Sequence, residues 1–227
     1  MPRGAVLLFL DATILRWFPP LRLAWGFRGE QVVVKITGRN AKRVVFGAIN
    51  PRTGHRLVLR RLRQRQEDFQ AFLRCLRERY PGRPLWLLLD QAPCHAAARS
   101  QQLAARLGVV LLWLPKQCPE LNAMDQLFKD LKRLIAANRQ FRTIDEEADY
   151  AEQWILTLTV RQALRKASVL SDEFWLKDFL DNFWLRKGGL GRSRKMGPGT
   201  LTGQAFSWIP RPRGAAEGAA WPLLGWT

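Results

Sequence analysis

The chain is poor in the features that would assign it to several common classes. It has only three cysteines, which lie far apart and form no Cys-x-x-Cys pair, so neither a disulfide framework nor a zinc knuckle is indicated. Its apolar runs are far shorter than the ~18 residues that a membrane span needs. No secretory signal peptide and no G-x-x-x-x-G-K-S/T phosphate-binding loop are present. These absences predict a cytosolic protein and argue against a nucleotide-hydrolysing enzyme.

Acidic residues are few relative to basic ones. The 227 residues include 37 Lys and Arg but only 19 Asp and Glu, which gives a formal net charge of +18. Residues 1–185 keep a net charge of +12, so the basic character is not confined to one end of the chain. A charge excess of this size attracts polyanions through phosphate neutralisation, which makes nucleic acid the first partner to test. Membrane headgroups are the weaker alternative, because no basic amphipathic helix is evident.

Glycine is concentrated at one end of the chain. Residues 187–227 contain 9 of the 17 glycines and a single acidic residue, Glu217. This composition predicts a basic, Gly- and Pro-rich tail that is disordered, after a folded domain over 1–186. Trp208, Trp221 and Trp226 in this tail are open to two interpretations: groups that stack on bases, or a read-through or frame-shifted terminus.

Hydrophobic periodicity predicts an alternation of strands and helices in the first 186 residues. Short β-branched, alternating or fully apolar segments predict strands, and apolar residues at helical spacing predict helices. Strands are expected over 5–11, 31–37, 43–49, 56–60, 85–89 and 109–114, and helices over 69–80 and 96–107, from Met124 to Ile135, and from Thr143, where Thr-Ile-Asp-Glu fits a capping box. This order predicts an α/β fold with a mixed sheet.

Three aspartates occur where predicted elements meet their loops. Asp11 ends the first predicted strand. Asp90 follows the fully apolar strand predicted over 85–89, and Asp125 lies in the first turn of a predicted helix. Ligands of open α/β sheets bind beyond the carboxyl ends of the strands, so Asp90 and the loop after Leu114 are expected there, and Asp11 joins them if the first strand lies beside the strand of Asp90 and parallel to it. Converging carboxylates repel one another unless a divalent cation lies between them, and oxygen ligands suit Mg²⁺ or Mn²⁺. Two such ions can support phosphodiester cleavage.

Each aspartate also has a structural interpretation. Asp90 can open a turn, and Asp125 can be an acid that stabilises the start of a helix. Asp11 is harder to explain in that way, because a carboxylate at the end of an apolar run is costly unless it reaches a cation or water. An aspartyl-phosphate enzyme would need a second Asp two residues after Asp11, where the chain has Thr13.

Two motifs that contain these aspartates resemble a known family. They are Leu-Leu-Asp-Gln-Ala-Pro-Cys-His at 88–95 and Leu-Pro-Lys-Gln-Cys-Pro-Glu-Leu-Asn-Ala-Met-Asp at 114–125. Both resemble the catalytic half of DDE-type transposases, of the mariner superfamily and its bacterial insertion-sequence relatives. Asp90 and Asp125 enclose 34 residues, the interval typical of that superfamily.

The resemblance extends beyond these two motifs. Phe-Leu-Asp at 9–11 is similar to the family's first catalytic strand, and Ser-Asp-Glu-Phe-Trp-Leu at 171–176 is similar to its closing motif. The resemblance covers roughly 7–186 and implies a ribonuclease-H-like fold with a mixed five-stranded sheet flanked by helices. It also implies a metal-dependent endonuclease and strand transferase that acts on transposon ends and target DNA as a homo-oligomer.

The resemblance also implies which residues are functional. Asp11, Asp90 and Asp125 match the family's catalytic residues, which bind two Mg²⁺ or Mn²⁺ ions. Within the matched motifs the chain departs from the family pattern at four places: its third acid is Asp where many bacterial relatives have Glu, Ala12 replaces a usual Glu, Lys-Gln-Cys at 116–118 replaces a usual Pro-Tyr-Ser, and Ala123 replaces a usual Pro.

The family's N-terminal helix-turn-helix region is not seen before the first catalytic strand. We therefore expect a detached catalytic domain that acts on DNA in the bacterial cytoplasm, without membrane association, together with a separately encoded helix-turn-helix half. Two alternatives stay open. One is an inactive, truncated remnant that only binds DNA, and the other is a nuclease that acts on RNA–DNA hybrids.

Basic side chains near these motifs are candidates for DNA contact. Arginines are densest over 56–65, and further basic residues lie off the apolar stripe of the helix that follows Asn122. They are expected to bind the DNA backbone without reading bases. The alternatives are a solvated helix face and, for His95, a histidine hydrogen-bonded within its loop. The candidates are Arg60, Arg61, Arg63, Arg65, His95, Lys116, Lys129, Lys132 and Arg133.

Overall fold

A single mixed sheet organises the part of the chain that the computed structural model describes, namely residues 4–180 except 20–22, 24, 26, 30–32, 35, 37–39, 136, 137 and 139. Its strands are β1 (Val6–Arg16), β2 (Lys42–Ile49), β3 (Arg56–Arg61), β4 (Leu85–Leu89) and β5 (Val109–Trp113). Their order is β3-β2-β1-β4-β5. The β1–β4 and β4–β5 pairs are parallel, and β2 is antiparallel to both β1 and β3. The predicted mixed five-stranded sheet is confirmed.

Helices cover both faces of this sheet. They are α1 (Gln66–Arg79), α2 (Pro93–Ala96), α3 (Ala98–Arg106), α4 (Ala123–Ile135), α5 (Ile144–Thr157) and α6 (Val160–Lys166). Successive side chains of a strand point to opposite faces. One set therefore packs against α1 and α3, and the other packs against α4, α5 and α6.

The apolar first half of β1 is buried because both faces of the sheet are covered. Leu8 and Leu10 pack in the core on the side of α1, whereas Leu7 and Phe9 pack in the core on the side of α4. Burying a side chain of this size contributes about 1.5–3 kcal/mol. The strand that carries Asp11 is therefore fixed between two cores.

Helix α4 approaches the sheet closely at Gly47. Gly47 is paired with Asp11 in the β1–β2 register. A Cβ atom at Gly47 would lie 2.8 Å from Cζ of Phe128 and would also clash with Cε of Met124. The absent side chain therefore lets the first turn of α4, which carries Asp125, lie against the strand that carries Asp11.

The first strand is longer than predicted. The parallel pairing of β1 with β4 ends at Phe9. The antiparallel pairing of β1 with β2 continues as far as Arg16, which is paired with Lys42. The prediction that Asp11 ends the strand is therefore wrong. Asp11 lies inside β1, at the point where the pairing with β4 has stopped.

Two other predicted elements also differ. The helix predicted over 96–107 is interrupted at Ala97, whose ψ of 133° is not helical, and this separates α2 from α3. The strand predicted over 31–37 lies mostly outside the described residues, and Val33, Val34 and Ile36, which are described, belong to no strand. One half of the predicted capping box at 143–146 is confirmed, because Thr143 Oγ1 accepts a hydrogen bond from the backbone N–H of Glu146 at 3.0 Å.

The predicted tail over 187–227 lies outside the described residues, as do the last residues of the predicted domain. Within the described ranges, no helix has both the length and the apolar character that crossing a membrane requires.

Candidate active site

A cleft of about 440 Å³ opens beyond the carboxyl ends of β4 and β5, beside β1. Asp11, Asp90 and Asp125 all line it. The structure thus brings the three predicted aspartates to one edge of the sheet, which is where open α/β sheets bind their ligands. The rest of the lining comes mainly from the two loops that follow β4 and β5: Gln91, Ala92, Leu114, Pro115, Lys116, Gln117, Cys118, Pro119 and Asn122.

Asp11 is the most enclosed of the three carboxylates. Its pKa is raised to about 7, mainly by burial; the negative charges of Asp125 and Asp90 add to the increase, and a hydrogen bond from the backbone of Ala12 and the charge of His95 oppose it. Burial and the two negative charges disfavour a bare anion at this position. A divalent cation would relieve them together, because it supplies the positive charge that the cleft lacks there.

Asp125 lies in the first turn of α4 and is half-buried. Its Oδ2 is buried and makes no hydrogen bond. The Nζ atom of Lys129, one turn further along α4, lies 2.9 Å from this oxygen. The carboxylate of Asp125 therefore forms an ion pair with the half-exposed side chain of Lys129. A hard cation bound at this oxygen would take the place of the lysine ammonium group.

Asp90 is the most exposed of the three, and His95 holds it. Nδ1 of His95 lies 2.7 Å from Oδ1 of Asp90, which also accepts a hydrogen bond from the backbone N–H of Ala92 at 3.2 Å. The His95 hydrogen bond is the main cause that lowers the pKa of Asp90. Burial alone lowers the pKa of His95, but hydrogen bonds with Asp90 and Cys94 outweigh it and raise the pKa to about 9.

The burial of His95 does not fit the predicted DNA contact. The side chain has no exposed surface, and its ring packs against Phe69 with 4.5 Å between the ring centroids. It fits the alternative, a histidine that is hydrogen-bonded within its loop. His95 acts on Asp90 and cannot reach a phosphate from this position.

The three carboxylates do not form a complete metal cage on their own. Throughout the described ranges, no three His, Cys, Asp or Glu side chains converge closely enough to hold an ion. Proteins usually bind Mg²⁺ through one or two carboxylates together with water and substrate phosphates, so a complete cage is not required. The buried carboxylate of Asp11, whose pKa is raised, and the Oδ2 atom of Asp125, which makes no hydrogen bond, fit such an ion. The carboxylate of Asp90 is hydrogen-bonded to His95.

Asn122 lines the cleft and is a residue that the sequence reasoning did not single out. Its side chain is buried, with 3% of its surface exposed, and its Nδ2 donates to the carbonyl oxygen of Leu10 at 2.9 Å. Its Oδ1 accepts from the backbone N–H of Met124 at 3.0 Å. Asn immediately before an apolar helix is a strong N-cap signal, which could have identified the second hydrogen bond. No local signal could have identified the first.

The predicted basic residues fall into two groups. Arg60 is engaged by α5, where its guanidinium pairs with the carboxylate of Asp149, and Arg61 lies 3.9 Å from Asp68 of α1. These partners do not favour a DNA contact for either residue. Arg63 and Arg65 are exposed and follow β3 at the cleft edge of the sheet, because β3 and β1 run in the same direction.

The remaining candidates lie on α4 or in the loop before it. Lys116 is exposed on the cleft, and Lys129 is exposed beside Asp125. Lys132 is half-buried, and Arg133 pairs with Asp130 at 2.5 Å while most of its side chain stays exposed. Basic side chains therefore border the cleft on the α4 side.

Solved structures and a family model match this architecture. The sheet order and flanking helices define a ribonuclease-H-like fold. Residues 6–146 match the family model described as DDE superfamily endonuclease, and the chain belongs to that family. No match is found among curated proteins.

Similar solved structures include several of Mos1 transposase. The paired-end complex with left transposon end has a TM-score of 0.57 and 16% identity, covering 74% of this chain and 53% of that chain. The mariner paired end complex with Mn has a TM-score of 0.58 and 14% identity, with coverage of 74% and 53%. The catalytic domain of Mos1 mariner transposase has a TM-score of 0.52 and 14% identity, with coverage of 72% and 76%. At these identities the likeness shows the fold, and this chain spans about half the length of the Mos1 chains in the complexes.

Proposed function

We propose that the chain is the catalytic domain of a transposase, a Mg²⁺- or Mn²⁺-dependent endonuclease and strand transferase that acts on DNA at transposon ends. One observation carries the proposal: Asp11, Asp90 and Asp125 line a single cleft in a chain of the DDE superfamily endonuclease family. In this reaction water attacks a phosphodiester at a transposon end, and the 3′-hydroxyl that is freed attacks target DNA.

The cleft residues have separate tasks in this proposal. Asp11, Asp125 and Asp90 would hold the metal, Asp11 and Asp125 through carboxylates that are largely buried and Asp90 through a carboxylate that His95 orients by a hydrogen bond. Bound divalent ions activate the attacking oxygen and stabilise the leaving oxygen. Lys116 lies on the same cleft and binds a phosphate of the DNA that is positioned there.

The charge of the chain supports DNA as the partner. The exposed side chains of Arg63, Arg65, Lys116 and Lys129 are at or near the edge of the sheet that carries the cleft. Contacts of this kind fix the position of a duplex without reading its sequence. Selection of transposon ends, assembly of several copies and a separate helix-turn-helix half are part of the proposal, on the resemblance alone. We place the reaction in the cytoplasm, with the DNA.

Cleavage of labelled substrates tests the proposal. The full chain is incubated with Mg²⁺ and either duplex DNA or an RNA–DNA hybrid, and products are resolved on a denaturing gel. We expect duplex cleavage that Asp11→Asn abolishes and that Asp178→Asn, an exposed aspartate outside the cleft, leaves intact. Cleavage of the hybrid alone would identify the ribonuclease alternative, and DNA binding without cleavage would identify an inactive remnant.

A further inference from the structure

Asn122 ties the first turn of α4 directly to β1. Through its two hydrogen bonds, one amide group joins the carbonyl oxygen of Leu10 to the backbone N–H of Met124. Leu10 immediately precedes Asp11, and Met124 immediately precedes Asp125. Both ends of the buried amide are used, so removal of either hydrogen bond would leave a buried polar group without its partner.

Trp175 holds the same loop from a second direction. Its Nε1–H donates to the carbonyl oxygen of Leu121 at 3.0 Å. Its ring packs edge-on against Phe9, with 6.3 Å between centroids and an angle of 88° between planes. Phe9 lies two residues before Asp11 and therefore on the same face of β1. Trp175 belongs to the motif at 171–176, which contributes no side chain to the lining of the cleft.

We propose that Asn122 and Trp175 are positioning residues that together set the separation between the carboxylates of Asp11 and Asp125, and through it the affinity of the cleft for a divalent cation. The inference rests on the proposed function. Asn122 contacts Leu10 and Met124, the residues next to Asp11 and Asp125, and Trp175 joins Phe9 of the same strand to Leu121 of the same loop. Groups that orient metal ligands commonly affect metal affinity about 10- to 100-fold.

Two conservative variants separate positioning from packing. Asn122→Ser keeps a side-chain oxygen that can cap α4, but the shorter side chain cannot reach Leu10. Trp175→Phe keeps an aromatic ring beside Phe9 but removes the N–H donor. Asn122→Ser therefore deletes the hydrogen bond to Leu10, and Trp175→Phe deletes the hydrogen bond to Leu121. Both variants preserve most of the local structure.

The chain also offers matched controls at sites outside the cleft. Asn50 caps the turn between β2 and β3, where its Oδ1 accepts from the backbone N–H groups of Arg52 at 2.9 Å and Thr53 at 3.1 Å. Asn50→Ser makes the same chemical change at the opposite edge of the sheet. Trp86→Phe makes the same aromatic change in β4, where the ring is half-buried.

Titration with Mn²⁺ alone, followed by electron paramagnetic resonance of the free ion, measures the effect in the full chain. Melting temperatures are measured on the same samples. We expect Asn122→Ser and Trp175→Phe each to weaken Mn²⁺ binding by about 10-fold or more. Asn50→Ser and Trp86→Phe should leave Mn²⁺ binding unchanged, even where they lower the melting temperature as much. The double variant should lose less than the product of the single losses, because both residues hold one turn.

Three results would overturn the inference. Unchanged Mn²⁺ affinity in both Asn122→Ser and Trp175→Phe would reject it and leave the proposed function intact. Equal losses in the two control variants would also reject it, because affinity would then follow stability. If Asp11→Asn removes no Mn²⁺ binding from the chain, the proposed function fails, and the positioning role fails with it.

Discussion

At the residue scale, Asp11 and Asp90 show how two carboxylates of one cleft acquire opposite properties. Burial and two like charges raise the pKa of Asp11, whereas the hydrogen bond from His95 lowers the pKa of Asp90. A cation therefore stabilises the folded chain most when it lies beside Asp11. The negative charge of Asp90 is already stabilised by the hydrogen bond from His95, so this carboxylate remains charged over the whole neutral range.

Glu147 gives a pH prediction at this scale. It is 2% exposed, its Oε1 makes no hydrogen bond, and burial raises its pKa to about 7. The folded chain thus binds a proton that the unfolded chain has lost, so the stability contribution of Glu147 is greatest below about pH 4.5 and is lost as the pH rises to about 7. Glu147→Gln should remove this loss and stabilise the chain by up to about 3 kcal/mol at pH 8, and far less at pH 4.5.

Thermal unfolding of both proteins at pH 4.5 and pH 8 checks the Glu147 prediction. Glu78→Gln is the control, because it makes the same chemical change at an exposed position of α1. Asp11 titrates in the same range in both proteins, so its effect cancels in the comparison. A stability gain in Glu147→Gln that is equal at both pH values would contradict the buried, protonated state.

Some residues of the site could be predicted from sequence and others could not. Asp90 and Asp125 stand at the end of an apolar strand and the start of an amphipathic helix, and both boundaries are visible locally. Arg60 could not be assigned in this way, because its partner Asp149 lies 89 residues further along the chain. The hydrogen bond from Asn122 to Leu10 spans 112 residues and is equally invisible to local patterns.

At the element scale, the position of α4 relative to β1 decides whether the cleft can work. Gly47→Ala tests this, because the added methyl group would clash with Met124 and Phe128 of α4. We expect a decrease in stability of about 1–3 kcal/mol, as for overpacked cores, and a higher Mg²⁺ requirement for cleavage as α4 moves away from Asp11. Thermal unfolding and the Mg²⁺ concentration for half-maximal cleavage measure the two effects.

Ala48 provides the matched comparison for Gly47→Ala. It is the next residue of β2, is buried, and its side chain packs in the core on the side of α1. Ala48→Gly should also reduce stability, but it should not change the Mg²⁺ dependence. If Gly47→Ala is destabilised and keeps the wild-type Mg²⁺ dependence, α4 does not set the geometry of the cleft.

A helix or strand could be predicted where the residue pattern that specifies it lies within the element itself. The stripe of Phe69, Phe72, Leu73 and Leu76 identified α1 because a helix buries residues one turn apart. The extension of β1 to Arg16 was not predictable, because it depends on pairing with a strand that lies far along the chain.

At the scale of the whole molecule, the distribution of charge predicts how DNA binds. Arg63, Arg65 and Lys116 are exposed at the cleft edge of the sheet, and changing all three to Gln should reduce the salt dependence of DNA binding. For each phosphate that the variant no longer neutralises, the slope of log K against log salt becomes shallower by about 0.9. Fluorescence anisotropy of labelled duplex DNA between ~50 and 200 mM salt measures this slope.

A second triple variant controls for total charge. Arg74, Arg79 and Arg106 are exposed on α1 and α3, outside the lining of the cleft. Changing them to Gln removes the same charge and should change the slope less. Equal slopes for the two triple variants would show that DNA binding follows net charge and has no preferred face.

The most direct test of the central claim is the Mg²⁺-dependent cleavage of duplex DNA by Asp125→Ala. The account predicts that cleavage is lost while DNA binding is kept or becomes tighter, because a negative charge near the phosphates is gone. Asp11→Ala added to Asp125→Ala should lower the rate little further, since residues that work as one unit are not additive. Full cleavage by Asp125→Ala would contradict the account, because Asp125 would then only stabilise the start of α4.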